Sequence, residues 1–158
     1  FIRGDTNALN AQERRGMAAF RAVGCDDCHS GPMLSDYELH TLGVPEGNVG
    51  GPDAGGGNFN FRTPTLRNLG MTAPYMHNGA FNSLQQVMRF YDRDNNNSRN
   101  NNVPNNQLDP ELRNLGNINP GQQADIIAFL NALNDNNFDR SIPATVPSGF
   151  NPGGDIGN

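Results

Sequence analysis

The sequence contains no lysine and no tryptophan. All of its basic charge comes from 11 arginines, set against 16 Asp and Glu, for a net charge of -5. A nucleic-acid binder needs a basic face, so that class is excluded on charge. Charged residues make up only 17% of the chain, which is not the composition of a charge-driven disordered segment. No run approaches the roughly 18 consecutive apolar residues of a membrane span. The chain opens on Phe1, without an initiator Met or a signal peptide, and on that ground is expected to be a mature protein or a fragment. Cysteine is scarce as well: there are two. At 158 residues the chain has the length of one domain. It can build a core without disulfide staples.

What fills the sequence instead is asparagine, with 25 residues, together with 19 Gly and 11 Pro. Hydrophobic residues reach only 35% and the mean hydropathy is -0.65. The core must be small for the length, and much of the chain must be loop.

The two cysteines lie three positions apart, and a histidine follows at once: Gly24-Cys25-Asp26-Asp27-Cys28-His29. Cys-x-x-Cys-His is the attachment signature of c-type haem. Two thiols at this spacing on a turn can each form a thioether to one haem vinyl, and the next residue brings its imidazole to the iron. A structural zinc site needs four ligands, but the chain has no further Cys, and His40 and His77 are far apart in sequence. A thioredoxin-like pair belongs in a βαβ pattern, and no strand-rich run precedes Cys25. A plain disulfide leaves His29 without a role. Covalent haem in turn implies export to the periplasm or cell surface, where such attachment takes place.

Three helices are expected. The first has Asn10 as N-cap with Glu13 as its reciprocal partner, carries Met17, Phe20 and Val23 on one face, and ends at Gly24. Met17 is read as core rather than as an iron ligand. The second has Ser83 as N-cap and Gln86 as partner, with Leu84, Val87, Met88 and Tyr91 on one face. The third starts at Asn119 and Pro120 and carries Ile126, Ile127, Leu130 and Leu133. Between them, 31–60 reads as loop, with a Gly-rich stretch over 43–60. Asp53-Ala54-Gly55-Gly56-Gly57 lacks the Lys and the strand–helix context of a phosphate cradle. Residues 61–81 mix aromatics, prolines and turn residues, a composition suited to an irregular segment wrapped over a cofactor. Residues 92–107 form an Asn-rich insertion without apolar periodicity. Residues 138–158 form a Pro- and Gly-rich strap. The expected fold is one all-α domain over 1–158, a few helices and long loops around one covalently attached haem.

Five segments, in this order, resemble bacterial di-haem cytochrome c peroxidases and their MauG-like relatives. They are Cys25 through Pro32, Phe61-Arg62-Thr63-Pro64-Thr65-Leu66-Arg67-Asn68, Thr72-Ala73-Pro74-Tyr75-Met76-His77-Asn78-Gly79, Leu108-Asp109-Pro110, and Ile126 through Leu133. The family has two cytochrome-c-like domains. The N-terminal one reacts with peroxide and the C-terminal one passes electrons to it. With a single haem motif, this chain resembles the C-terminal domain. The Asn-rich insertion, and Gly56 where the family has an Arg after its Asp-x-Gly element, depart from the pattern.

The candidates for a second axial ligand are Met33, Met71, Met76, Met88, His40, His77 and Tyr91. In the family that ligand lies fourteen residues after the His of the Pro-Tyr-x-His block, which here is Tyr91, and MauG-like members use a Tyr there. Met88, one turn earlier, and Met76 remain alternatives, as does a Tyr91 that packs in the core with its hydroxyl on a neighbour. The resemblance also puts Arg62 and Arg67 over the haem edge, where a guanidinium can pair with a propionate. It assigns the carbonyls of Thr72 and Pro74 to a calcium site between domains.

Three functions compete on this basis. The first is an exported electron-transfer domain serving a peroxide-reacting haem in another domain or subunit and fed by a small redox donor protein. The second is a peroxidase in its own right, with an open distal site and His77 as acid–base group. The third is a mono-haem subunit of a larger complex, docked by its Asn-rich loop and Pro-rich tail.

Overall fold

The structure, a computed structural model, describes residues 4, 5, 7–46, 53–92, 103–135 and 147. Four helices occur among them: α1 (Ala11–Ala22), α2 (Leu84–Tyr91), α3 (Pro110–Asn114) and α4 (Pro120–Asn131). None is long and apolar enough to cross a membrane. Of the Asn-rich insertion, residues 93–102 lie outside the described residues, and so does the C-terminal strap apart from residue 147.

The helix ends follow the capping chemistry of the sequence. The Asn10 side chain accepts the Glu13 amide at 3.0 Å while Glu13 accepts the Asn10 amide at 2.7 Å, so two of the first-turn donors of α1 are satisfied reciprocally. Gly24, at φ 89, lets the chain leave α1 and turn directly into the single 3₁₀ turn of Cys25–Asp27. Asn119 and Gln122 cap α4 in the same reciprocal way, with Pro120 in the first turn. The cap of α2 differs in one detail. Ser83 accepts the Gln86 amide, but the Gln86 side chain turns to the Asn82 amide at 2.6 Å rather than to Ser83.

Two elements were not expected from the sequence. The short α3 has no periodicity to read; it forms because the Asp109 side chain accepts the Glu111 amide at 2.9 Å and Pro110 presets the first turn. A two-residue antiparallel ladder, β1 (Leu39–His40) with β2 (Phe61–Arg62), closes the base of the Gly-rich loop. It is too short to change the helical class.

The core forms where α1 and α4 pack on each other. Phe20 of α1 meets Phe129 of α4 edge-on at 5.6 Å, with Ile126 and Leu130 buried beside them. Met17 packs against this core, as expected. The helix α2 buries Leu84, Val87 and Met88 on its expected face, and Phe90 on another, against Phe81 at 5.5 Å. A second cluster, Val103, Leu108, Leu112 and Leu115, packs against Leu42, Phe59 and Tyr91. The two helices α1 and α4 approach at Gly16, where an added Cβ would lie 1.9 Å from the Asp125 carbonyl oxygen and 2.9 Å from the Phe129 Cβ. Arg15 and Asp125 straddle this contact with two bonds, 2.9 and 3.1 Å.

Gly16→Ala therefore sets two effects against each other. Helix propensity favours Ala by up to about 1 kcal/mol. Separating two packed helices costs about 1–3 kcal/mol, and because the close partner is backbone, the cost should win. Denaturant unfolding is expected to show a net loss of stability; a gain would mean that the helices part freely here.

Candidate cofactor site

The helices and the 61–81 segment enclose an apolar cavity of ≈ 530 Å³. That volume falls within the range of about 300–1,000 Å³ common to small-molecule and cofactor sites. Cys25, Cys28 and His29 all reach its wall, because the end of α1 drops straight into the turn that carries them.

His29 is held in one tautomer. Its Nδ1 lies 3.0 Å from the Leu34 carbonyl oxygen, and a carbonyl only accepts, so Nδ1 carries the proton and Nε2 the lone pair. Burial pushes the imidazole below its usual pKa, against the pull of the Leu34 carbonyl. The ring is thus neutral, as a metal ligand requires. Burial likewise pushes the Cys25 thiol up to about 12 and the Cys28 thiol up to about 11, with neighbouring acidic residues adding to both. Redox-active pairs have depressed thiol pKa values, so these cysteines do not have the character of a thioredoxin-like pair.

The remaining ligand candidates sort by position. Tyr91, Met88, Met76, His40 and His77 all line the cavity. Met33 and Met71 do not, and they stand 41% and 44% exposed at the surface. Tyr91 lies on the same helix as Met88, with its ring edge-on to Phe90 at 5.1 Å. Burial drives its phenol pKa upward, and the nearby thiols add to this. No hydrogen bond to its hydroxyl forms among the described residues. His77 is stacked on Phe61, with ring centroids 3.6 Å apart. Desolvation lowers its pKa.

Arg67 has a partner that the sequence did not suggest. Its Nε and Nη2 both donate to the Pro32 carbonyl oxygen, at 2.7 and 2.5 Å. Arg62 lies over the Tyr37 ring at 5.4 Å. Thr72 and Pro74 are exposed and adjoin the cavity, and the Thr72 hydroxyl donates to the Leu69 carbonyl at 3.1 Å.

Sequence reasoning also missed the surroundings of His40. Its Nε2 lies 2.8 Å from Asp36 and its Nδ1 2.6 Å from Asp109, so both nitrogens donate and the ring is an imidazolium. Burial opposes that charge, but the bonds to Asp109 and Asp36 outweigh it and hold His40 above its usual 6.5. Potential ligand atoms of Cys28, Asp36 and His40 lie within 4.8 Å of one another. These three fall short of the four ligands of a structural zinc, and both His40 nitrogens are already engaged. The pairing of His40 with Asp109 crosses 69 positions of chain, which no local pattern reports.

A helical domain that closes an apolar cavity over a Cys-x-x-Cys-His turn, with a neutral, oriented histidine on its wall, has the donor set and the volume of a haem domain. Comparison with family models gives no match. Curated proteins do match. A cytochrome-c peroxidase, IdrP1 of Pseudomonas sp. (strain SCT), is 36% identical over 129 residues, spanning 59% of this chain and 34% of that protein. The cytochrome c551 peroxidase of Nitrosomonas europaea is 30% identical over 157 residues, spanning 94% of this chain and 42% of that protein. Among solved structures, a MauG-like protein associated with microbial copper homeostasis superposes with a TM-score of 0.68 at 23% identity, over 85% of this chain and 47% of that one. The chain belongs to the family of bacterial cytochrome-c peroxidases and MauG, and it corresponds to their C-terminal part. It spans about a third of the length of the first curated relatives it matches.

The His40 clamp makes stability depend on pH in a definite direction. A pKa raised on folding contributes stability that is fully present below the ordinary value of 6.5 and is lost as pH rises through the folded value. His40→Gln should cost about 1–3 kcal/mol at pH 5.5 by leaving carboxylates unpaired. The gap between variant and parent should narrow at pH 9. Denaturation of both proteins at the two pH values checks this; a gap that widens with pH contradicts the imidazolium assignment.

Proposed function

We propose that the chain is an exported electron-transfer domain carrying one c-type haem, bonded to Cys25 and Cys28 and ligated by His29, which serves a peroxide-reacting haem in another domain or subunit. The observation that carries this reading is the meeting of both thiols, the oriented neutral His29 and Tyr91 on one apolar cavity. The haem supplies reversible one-electron chemistry at its iron. The protein's share is to hold and shield it. The Leu34 carbonyl fixes the His29 ring and leaves Nε2 as the donor atom. The phenyl rings of Phe20, Phe59 and Phe61 and the aliphatic side chains beside them give the cavity its apolar lining. Tyr91 offers a hydroxyl without a hydrogen-bond partner among the described residues, which makes it the first choice for a second protein ligand that would hold the iron, ahead of Met88 and Met76. A phenol whose pKa is raised by burial gives up its proton only to a strong local cation, and a ferric iron is one.

The whole chain acts in this reading as a single haem domain. Its partners are a second haem domain or subunit and a small redox donor, and the net charge of -5 favours a donor with a basic face. The carbonyls of Thr72 and Pro74 supply two of the about six to eight oxygens of a calcium site, the rest coming from water and the partner domain. A mono-haem subunit of a larger complex, with no peroxidase partner, is the alternative, and the size of the natively purified protein separates the two. A neutral His77 stacked at the cavity is what a self-sufficient peroxidase would use as its acid–base group.

Acid and organic solvent should leave the haem on the polypeptide; free haem in the extract rejects attachment through Cys25 and Cys28. Peroxide turnover by this domain alone should stay near background, and robust turnover would favour the self-sufficient enzyme. Tyr91→Phe should turn the ferric spectrum high-spin and admit cyanide. An unchanged spectrum with the far-red band of thioether ligation passes the role to Met88 or Met76.

A further inference from the structure

We propose that Arg67 is a positioning residue for His29: by gripping the Pro32 carbonyl it sets the loop whose next-but-one carbonyl, that of Leu34, receives the His29 Nδ1–H bond, and through that bond it tunes the ferric–ferrous balance of the haem. The inference rests on the reading of His29 as the iron's protein ligand.

Three successive carbonyls carry the argument. That of Pro32 is held by Arg67 Nε and Nη2, that of Met33 by the Thr65 hydroxyl at 2.6 Å, and that of Leu34 takes the His29 proton at 3.0 Å. Leu34 sits at φ 53, a left-handed conformation that a side chain with a Cβ disfavours and that persists only where the surroundings impose it. The loop's own bonds bring Leu34 N to the Gly31 carbonyl at 3.1 Å and Ser35 N to that of Ser30 at 2.8 Å. The external grip comes from one stretch. The Ser35 hydroxyl donates to the Thr63 carbonyl at 2.7 Å, and Thr65 and Arg67 follow from the same segment. That segment is a firm base, because Thr63 and Leu66 are buried and Thr63 N is tied to the Glu38 carbonyl at 2.9 Å.

The chemistry gives a sign. A hydrogen bond from Nδ1–H to a carbonyl makes the imidazole a stronger donor at Nε2 and so favours Fe(III). Loosening the Leu34 carbonyl should favour Fe(II). The grip needs an arginine, because two N–H groups in a fixed fork converge on one oxygen, which a lysine ammonium cannot reproduce.

Arg67→Lys keeps the charge and removes the fork, so its effect reports geometry. In the intact haem protein it should raise the midpoint potential, shifting the Fe(II)/Fe(III) ratio at fixed ambient potential by up to about tenfold, the low end for partners of a metal-ligating histidine. The His29 Nδ1–H resonance of the ferrous protein should move upfield as its hydrogen bond weakens. Thr65→Val, acting one carbonyl further along, should move both readouts the same way and carries the test if Arg67→Lys does not fold. Arg89→Lys makes the same chemical change at an exposed position of α2, and it should leave both readouts unchanged. If Arg67→Lys and Thr65→Val lower the melting temperature while potential and resonance stay fixed, the segment is only a strut and the proposal is overturned. A fall in potential overturns it too. Failure of the underlying reading looks different: a wild-type His29 resonance without any shift from the haem would overturn the ligation and the proposal together.

Discussion

At Gly16 the backbone of α1 comes so close to the Asp125 carbonyl of α4 that one methyl group does not fit between them. The cavity depends on that approach. It brings Phe20 against Phe129 and closes one wall with Leu130. It also fixes where α1 ends. Because Gly24 turns the chain at once into the Cys25–Asp27 turn, the placement of both thiols and of His29 is inherited from the helix contact. A chain with 35% hydrophobic residues has few side chains to spend on a core, and most of those it has lie along this seam or around the cavity.

The opposite wall is built with less regular structure and more polar bonding. The 61–81 segment has two residues of strand and one 3₁₀ turn, and side chain–backbone bonds hold it in place: Ser35 to Thr63, Thr65 to Met33, Arg67 to Pro32, Asn78 to Pro45. Such bonds satisfy the backbone where no ladder does. The Asp36–His40–Asp109 clamp works similarly, tying the loop after the Cys-x-x-Cys-His turn to the cap of α3. An imidazolium between two carboxylates leaves one net negative charge beside Cys28.

Much of this was legible in the sequence wherever the cause is local. Asn10 with Glu13 and Asn119 with Gln122 announce helix starts, because the bonds join residues three apart. The inward residues of α2 follow from a period of 3.6. Where two local bonds compete the reading slipped: Gln86 had the Ser83 and Asn82 amides within reach and took the latter. The short α3 escaped because five residues show no period, although Asp109-Pro110 is itself a capping signal. Arg67 was read as a propionate partner because a guanidinium suits one; the structure adds a contact that no local pattern reports, its Nε and Nη2 on a backbone carbonyl 35 positions away.

By itself the sequence determined the helical class, the helix starts, the Cys-x-x-Cys-His turn and the resemblance to the peroxidases and MauG, because each is written in residues close together along the chain. Only the tertiary structure decided which ligand candidates share a cavity. It put Met33 and Met71 at the surface and gathered Tyr91, Met88, Met76 and His77 around one space. It also decided that His40 is charged and that Arg67 grips the loop after His29. Those outcomes rest on contacts between segments tens of residues apart, and a residue's type carries no record of which distant partner the folded chain will bring to it.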